Sequence, residues 1–247
     1  MAVAVITGAS SGIGAEYVRA VTELFPEIDE LWLIARREDK LKEQAAKYPD
    51  KKCVILPLDL GKTEALYELR EKLEQEKPCV QVLINDAGRG GKVMFQDQSL
   101  EDMMSVVDLN CRGLMGVTKV CLPYVPDGGT ILQVSSTSAF VPNTNLIVYC
   151  ASKAFVKTFS LGLRQELKSR KINVCAVYPG LVMTDIVEDL TGAQKFLPKV
   201  SARDCAYKSL RAAKNGRSGY TTGGFYKCYR VLCKILPQEL MVKFAGF

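Results

Sequence analysis

Short apolar runs alternate with longer amphipathic stretches along most of the chain. The runs are rich in β-branched residues and continuously apolar, which is typical of strands buried on both faces. They are Val3–Thr7, Leu31–Ala35, Val54–Leu58, Val82–Asn85, Ile131–Val134 and Asn173–Tyr178, with Gly219–Gly224 as a weaker candidate. Helical patterns lie between them, at Gly14–Leu24, Glu38–Tyr48, Thr63–Glu76, Leu100–Val120 and Val148–Ser169. This alternation predicts an α/β fold, a doubly wound parallel sheet of about seven strands with helices on both faces.

Length and composition favour one domain over residues 1–247, without a linker. The 48% hydrophobic and 24% charged content is ordinary for a soluble globular protein. No apolar run approaches the ~18 residues that indicate a membrane span. The N-terminal Met1–Ile6 lacks the basic region of a signal peptide. Nine scattered cysteines without Cys-x-x-Cys spacing indicate reduced thiols. We therefore expect a cytoplasmic protein.

The charged and titratable residues exclude several classes of function. The formal charge is +6, but no basic run is interleaved with aromatics, so we expect no nucleic-acid partner. The chain has no histidine, which rules out Ser-His-Asp and Cys-His catalysis and any His-ligated metal. We predict no metal site. Acid–base chemistry must therefore fall to Tyr, Lys, Cys or a carboxylate.

A glycine-rich turn follows the first predicted strand and leads into a helix. It contains Gly8, Gly12 and Gly14, with Ser10, Ser11 and Ile13 between them. Glycines there permit a tight turn and close approach of backbone N–H groups to a pyrophosphate, which the helix N-terminus also favours. A plain strand-to-helix turn with capping serines is the alternative, but three glycines in this context favour a dinucleotide.

The end of the second predicted strand indicates which dinucleotide binds. NAD binders place an acidic residue there, whereas NADP binders need a cation for the 2′-phosphate. The chain has Arg36 and Arg37 and no acid at this position. Cations at a helix N-terminus oppose the helix dipole, so a bound phosphate would compensate them. The sequence therefore predicts NADP(H).

A tyrosine and a lysine four residues apart, Tyr149 and Lys153, share one face of a predicted helix. Unperturbed tyrosine has a pKa of about 10, so acid–base work near neutral pH requires that its ionised form be favoured. A neighbouring ammonium supplies an interaction of that sign. The spacing is common on ordinary helices, so its weight comes from the nucleotide-binding turn at the other end of the chain.

Together these motifs resemble those of the short-chain dehydrogenases/reductases, over the chain from Val3 to about Thr184. The glycine turn, Tyr149 and Lys153 match the family pattern in order and spacing. Asp86 stands where the family has a second asparagine in Asn-Asn-Ala-Gly. The further positions that match family motifs are Asp59, Leu60, Asn85, Ala87, Gly88, Asn110, Ser136, Pro179, Gly180, Val182 and Thr184.

The resemblance implies a Rossmann-like fold and an NADP(H)-dependent oxidoreductase that interconverts a ketone and a secondary alcohol. It implies a catalytic tetrad of Asn110, Ser136, Tyr149 and Lys153, in which Tyr149 and Lys153 also contact the cofactor. Ser136 lies thirteen residues before Tyr149, which selects it from a hydroxyl-rich segment. Family members are usually dimers or tetramers, so we expect a homo-oligomer, with the two long helices at 100–120 and 148–169 as candidate contacts.

The substrate and the C-terminal segment leave alternatives open. A lid is expected over about residues 184–200. Apolar residues at helical spacing in the segment 225–247, with basic residues on the opposite side, fit a subunit contact or the wall of an apolar pocket. A basic amphipathic helix on a membrane surface ranks third.

We expect a carbonyl or alcohol substrate that is lipophilic, such as a hydroxysteroid or bile acid. The variant Tyr149-Cys150-Ala151-Ser152-Lys153 resembles that of some hydroxysteroid dehydrogenases. A reductase of 3-oxoacyl chains or small β-hydroxy acids is the alternative within the family. A non-catalytic NADP-binding regulatory protein is the alternative outside it.

Overall fold

The computed structural model describes residues 2–183 and 197–245. Its main sheet has seven parallel strands in the order β3-β2-β1-β4-β5-β6-β9. These are β1 (Ala2–Thr7), β2 (Glu30–Ile34), β3 (Lys52–Leu56), β4 (Cys79–Asn85), β5 (Thr130–Val134), β6 (Asn173–Tyr178) and β9 (Gly219–Thr221). A small separate sheet pairs β7 (Leu181–Met183) with β8 (Lys199–Ser201). The predicted seven-stranded parallel sheet is confirmed.

Helices cover both faces of the main sheet. They are α1 (Gly12–Leu24), α2 (Glu38–Ala45), α3 (Thr63–Glu76), α4 (Leu100–Val107), α5 (Leu114–Cys121), α6 (Ile147–Glu166), α7 (Ala202–Lys214), α8 (Gly224–Ile235) and α9 (Gln238–Ala245). Ala4 and Ile6 of β1 pack with α1 and α7 on one face, while Val3 and Val5 pack with α3 and α5 on the other. Because both faces are covered, the strands are continuously apolar.

The strand order reverses between β1 and β4. From β1 the chain adds β2 and β3 on one side, then returns to place β4 against the other side of β1. Parallel strands carry their carboxyl ends to the same edge, and a cleft forms where the order reverses. Thr7 and Asn85 end these two strands in register, so the residues that follow them flank that cleft.

The predicted helix over residues 100–120 is interrupted. α4 ends at Val107, a π-helical stretch covers Asp108–Gly113, and α5 begins at Leu114. A π-helical turn widens the backbone ladder and occurs most often at functional sites. Here the interruption contains Asn110, whose buried side chain bonds to groups outside its own helix.

The C-terminal part contains elements that were not foreseen. The small sheet β7–β8 was missed, and the C-terminal segment forms two helices separated at Pro237. Most of the expected lid at 184–200 lies outside the described residues. Within the described ranges, no helix is long and apolar enough to cross a membrane.

Candidate active site

The glycine turn forms a cradle at the start of α1. Gly8 and Gly12 have φ angles of +72° and +57°, in the left-handed region that glycine adopts most readily. A Cβ on Gly14 would collide with the carbonyl oxygen of Gly8, so this position also requires glycine. The turn, which includes Ser10, Ser11 and Ile13, therefore presents backbone N–H groups of a helix N-terminus to the cleft, where an anion is favoured.

Arg37 joins the second strand's loop to this cradle. Its Nη2 donates to Ser11 Oγ at 3.0 Å and lies 3.4 Å from Ser10 Oγ. Arg37 precedes α2 as its N-cap residue, and both Arg36 and Arg37 are exposed. Arg37 thus places a guanidinium charge beside the glycine turn, and Arg36 is its exposed neighbour in the chain.

Asp86 lies beneath the glycine turn. Its Oδ2 lies 3.1 Å from where a Cβ on Gly8 would be and 2.9 Å from where a Cβ on Gly14 would be. The backbone N–H groups of Asp86 and Ala87 both donate to Thr7 Oγ1 at 3.0 Å. Burial raises the pKa of Asp86 to about 7, against the opposing attraction of the Lys153 ammonium. Asp86 is thus an ionisable group between the cofactor cradle and Lys153.

Other predicted cofactor-binding residues support the edge of the sheet. Asn85 is buried, and its Nδ2 donates to Thr118 Oγ1 at 3.0 Å, which holds α5 against the end of β4. Asp59 Oδ1 accepts the Gly61 N–H at 3.2 Å, and Leu60 is buried. The side chains of Asn85 and Asp59 thus fix the backbone at the carboxyl ends of β4 and β3, which forms the wall of the cleft.

Tyr149 and Ser136 lie close enough for the serine hydroxyl to favour the phenolate, which lowers the pKa of Tyr149 against the larger effect of burial. Ser136 begins a short 3-10 turn, and its Oγ accepts the Ser138 N–H at 3.1 Å. Tyr149 lies in the first turn of α6, half-buried. The structure therefore brings together the phenol and the hydroxyl that the thirteen-residue spacing selected.

Lys153 lies one turn further along α6 and is almost fully buried. Its Nζ donates to the Val134 carbonyl at 2.9 Å and lies 5.7 Å from the centroid of the Tyr149 ring. Ser135 Oγ donates to the Lys153 carbonyl at 2.7 Å. Burial lowers the pKa of Lys153 to about 8, partly offset by the negative charge of Asp86. The Lys153 ammonium is thus held in one position, and its pKa is lower than that of an ordinary lysine.

The pKa of Tyr149 differs from the sequence-based expectation. We expected Lys153 to lower it, but burial raises it above its ordinary value of 10, and the nearby Ser136 hydroxyl opposes the rise only in part. Desolvation penalises the phenolate more than the surrounding groups stabilise it. In the protein alone the phenol is therefore neutral at physiological pH, the form that can donate a proton.

Asn110 is fully buried, with its side chain fixed on both ends. Its Oδ1 accepts the Arg89 N–H at 2.8 Å, while Nδ2 donates to the Arg89 carbonyl at 2.8 Å and to Ser152 Oγ at 2.9 Å. A Cβ on Gly88 would lie 3.1 Å from Asn110 Oδ1 and 3.2 Å from Lys153 Nζ. Gly88 is therefore the point at which Asn110 and Lys153 converge.

The turn after β6 closes the other side of the site. The Pro179 carbonyl accepts the Thr137 N–H at 2.9 Å, and the Gly180 N–H donates to Thr222 Oγ1 at 2.8 Å. Val182 is buried in β7. The predicted Thr184 lies outside the described residues.

Tyr226 of α8 supports this turn and was missed by the sequence interpretation. Its hydroxyl accepts the Leu181 N–H at 3.0 Å and donates to the Pro198 carbonyl at 2.9 Å. Its ring fills the space where a side chain on Gly180 would be. The helical spacing had drawn attention to its apolar neighbours, and no short-range signal links Tyr226 to a segment some 45 positions earlier in the chain.

Comparisons with known proteins agree with the fold. A parallel sheet whose strand order reverses beside a glycine-rich turn is the architecture of dinucleotide-binding domains. The sequence model of the short chain dehydrogenase family matches residues 2–195, and the chain belongs to that family. Within residues 2–183 and 197–245, no group of three or more Cys, Asp or Glu side chains could hold a metal ion.

Two curated relatives are uncharacterized staphylococcal oxidoreductases. One, from Staphylococcus aureus (strain MRSA252), is 31% identical over 186 residues, 74% of this chain and 79% of the relative. The other, from Staphylococcus saprophyticus, is 31% identical over 216 residues, 85% of this chain and 90% of the relative. The chain is therefore an oxidoreductase, and the non-catalytic alternative is not supported.

Two solved structures resemble the whole chain. A short-chain dehydrogenase from Sphingobium yanoikuyae in complex with NADPH has a TM-score of 0.83 and 26% identity, covering 98% of this chain and 95% of that one. A bulky-bulky ketone specific alcohol dehydrogenase from Comamonas testosteroni has a TM-score of 0.79 and 25% identity, covering 98% and 94%. The first of these structures contains NADPH, the reduced form of the predicted cofactor.

Proposed function

We propose that this chain is an NADP(H)-dependent ketone reductase or secondary-alcohol dehydrogenase for a lipophilic substrate. The observation that carries the proposal is the buried Lys153 ammonium, 5.7 Å from the centroid of the Tyr149 ring, with the Ser136 hydroxyl close enough to act on the same phenol. A neutral phenol and a hydroxyl meet there at the carboxyl edge of the sheet, beside a glycine cradle. This arrangement can polarise and protonate a carbonyl oxygen.

The described residues fit the cofactor. The left-handed Gly8 and Gly12 and the start of α1 would hold the pyrophosphate, and Arg36 and Arg37 the 2′-phosphate. Lys153 would hold the nicotinamide ribose. When bound, NADPH supplies the hydride that the substrate carbon receives.

The side chains of the chain itself handle the proton. Tyr149 donates its phenolic proton to the substrate oxygen during reduction and takes it back during oxidation. Ser136 donates a hydrogen bond to that oxygen, where negative charge grows in the transition state. Lys153 then stabilises the tyrosinate electrostatically. Asn110 positions the proton relay that reaches Lys153 Nζ, since both approach the Gly88 backbone.

Apolar side chains near Tyr149 support a lipophilic substrate. Val93 N–H donates to the Asn145 carbonyl at 2.9 Å, which holds the loop that follows Gly90 close to the start of α6. Val93, Met94 and Phe95 in this loop, and Ile147 at the start of α6, are exposed. The similarity to an alcohol dehydrogenase specific for bulky-bulky ketones points in the same direction. Hydroxysteroids and bile acids are bulky and largely apolar, so they suit such an apolar rim.

The alternative substrate is a 3-oxoacyl chain or a small β-hydroxy acid. A panel of steroid, bile-acid, 3-oxoacyl and small keto-acid substrates, with NADPH consumption as the readout, separates the two. We expect the highest kcat/KM for the steroid or bile-acid ketones, because these fill an apolar rim. A preference for 3-oxoacyl substrates would contradict the steroid proposal but keep the ketoreductase reaction.

We further propose a homodimer or homotetramer, a single domain with a lid at about 184–200, and a cytoplasmic location. Leu100, Met104 and Val107 of α4 and Leu161 of α6 are exposed apolar residues on the helices expected at a subunit contact. All nine cysteines are unpaired, which suits a reducing compartment. Light scattering on the purified protein gives the subunit number, and a monomer at micromolar concentration would contradict the assembly.

A further inference from the structure

Helix α8 is fixed to the body of the protein by one side. Tyr226 is buried under the turn after β6, as described above. On the same side, the Arg230 guanidinium lies 4.7 Å from the Tyr178 ring centroid and 5.5 Å from that of Phe140, and it donates to Thr221 Oγ1 at 3.2 Å. The orientation of the helix is therefore set by polar and aromatic contacts.

The opposite side of α8 is apolar and faces solvent. Val231, Leu232 and Ile235 are exposed, Ile235 to 72%. Leu236 and Leu240 continue the exposed apolar surface across the junction with α9. A subunit contact would require a second copy of the protein over these side chains. The wall of a substrate pocket would require that they face inward. They face outward, so the pocket-wall alternative does not apply to them. We call these five residues the apolar face.

The charge around the apolar face is mostly positive. From Gly223 to Ala245 the sequence contains Lys227, Arg230, Lys234 and Lys243 and one acidic residue, Glu239. Lys227 and Lys234 are exposed, and no carboxylate of the described residues forms an ion pair with either. An outward apolar face bordered by unpaired lysines is the pattern of a helix that lies in a lipid interface.

We propose that α8 and the start of α9 dock the protein onto an anionic phospholipid surface. The apolar face enters the boundary between headgroups and acyl chains, while Lys227 and Lys234 contact lipid phosphates. A second copy is a poorer occupant, because a symmetric contact would bring two sets of these lysines together with only Glu239 of each α9 to neutralise them. The docking goes beyond the proposed oxidoreductase activity and does not depend on it.

Docking at this place would put the active site next to the lipid. Tyr226 links α8 directly to Leu181, which follows the turn that closes the site, and to Pro198, which precedes β8. A lipophilic ketone partitions into the bilayer, so it would reach the site from that side. This consequence rests on the proposed function, whereas the docking itself is measured without substrate.

Sedimentation with lipid vesicles tests the docking. The full chain is mixed with vesicles of phosphatidylglycerol and phosphatidylcholine, or of phosphatidylcholine alone, and the bound fraction is measured as lipid is increased. We expect binding to the anionic vesicles, at least tenfold weaker binding to neutral ones, and release by ~0.5 M salt, because exposed charges are then screened.

Two variants separate the apolar and the charged contributions. Ile235→Asp should reduce vesicle binding at least tenfold, and Lys227→Gln with Lys234→Gln about ten- to thirtyfold, at about 1 kcal/mol per lysine. The matched controls are Tyr67→Asp, at an exposed position of α3, and Lys62→Gln with Lys119→Gln, which remove the same charge elsewhere. The controls should bind vesicles like the wild type.

Three outcomes would overturn the proposal. The first is no binding to anionic vesicles, and the second is equal binding to neutral ones. The third is dissociation of a dimer by Ile235→Asp without any vesicle binding, which would assign the apolar face to a second copy. NADPH affinity, measured by fluorescence for every variant, verifies that each one is folded, since none of these residues belongs to the cofactor site.

Discussion

The ring of Tyr149 lies directly against the backbone of Gly90. A Cβ placed on Gly90 would be 2.5 Å from Tyr149 Cδ2 and 2.9 Å from Cγ, closer than real atoms approach. Gly90 follows the motif that ends β4, so the chain that leaves the cofactor cradle also fixes the position of the phenol. Sequence interpretation assigned no role to Gly90, because its importance comes from a ring 59 positions away in the chain.

Gly90→Ala should therefore displace the phenol. We expect kcat to fall at least about tenfold, because a displacement near 1 Å at a reacting group costs up to about 10² in rate. Gly91→Ala is the matched control, since a Cβ there meets nothing within 4 Å. Steady-state kinetics of both variants check this, and equal activities would mean that Tyr149 is not held by Gly90.

The arginine pair should discriminate between the two nicotinamide cofactors. Arg36→Ala with Arg37→Ala should weaken NADPH binding at least about ten- to hundredfold, because a single charge-assisted hydrogen bond to the 2′-phosphate contributes about 1.5–3 kcal/mol. NADH lacks the 2′-phosphate and should lose little affinity. Fluorescence titration measures the affinities for both cofactors. Equal losses of affinity for NADPH and NADH would show that the two arginines do not bind the 2′-phosphate.

Asp86 should make stability depend on pH. Its pKa rises from 3.8 to about 7 in the folded protein. The folded state therefore holds more protons than the unfolded state between about pH 4 and 7, and this group lowers stability as pH rises through that range. Asp86→Asn removes the effect, so its free energy of unfolding should rise relative to wild type from pH 4 to 7. Urea unfolding at several pH values measures this. If the free energies of unfolding of the variant and the wild type changed in parallel with pH, the pKa of Asp86 would not be raised by folding.

Tyr226→Phe tests the support of the site by α8. The variant leaves the Leu181 N–H and the Pro198 carbonyl without their partner, at a cost of about 1–3 kcal/mol. We expect that loss in the free energy of unfolding and a higher KM, because the turn after β6 is loosened. Tyr67→Phe, at an exposed tyrosine, is the control. An unchanged free energy of unfolding for Tyr226→Phe would show that the Tyr226 hydroxyl does not stabilise the turn after β6.

Local patterns in the sequence predicted most of the sheet and the cluster at its edge. The buried strands are continuously apolar, and the glycine turn requires particular residues at particular positions, so both leave a signal in a short window. The π-helical stretch around Asn110 leaves none, because it depends on bonds from Asn110 to Arg89 and Ser152 in other elements. The side of α8 that faces solvent depends likewise on Tyr226 and its distant partners.

The pKa of Tyr149 shows a second limit. The spacing to Lys153 correctly placed an ammonium nearby, but a sequence contains no measure of burial. In the structure, burial outweighs the favourable interactions, and the pKa is raised. The participating residues could thus be identified from the sequence, but the direction of the pKa shift could only be obtained from the three-dimensional environment.

The kinetics of Tyr149→Phe test the central claim most directly. Phenylalanine keeps the ring against Gly90 and removes only the hydroxyl that lies close to Ser136. With a ketone substrate that the wild type reduces, we predict that kcat falls by about 10²–10⁴, the usual contribution of a positioned general acid. The dissociation constant for NADPH should stay within about twofold of the wild type, since the hydroxyl is not part of the phosphate cradle. Turnover close to that of the wild type would contradict the assignment of Tyr149 as the proton donor.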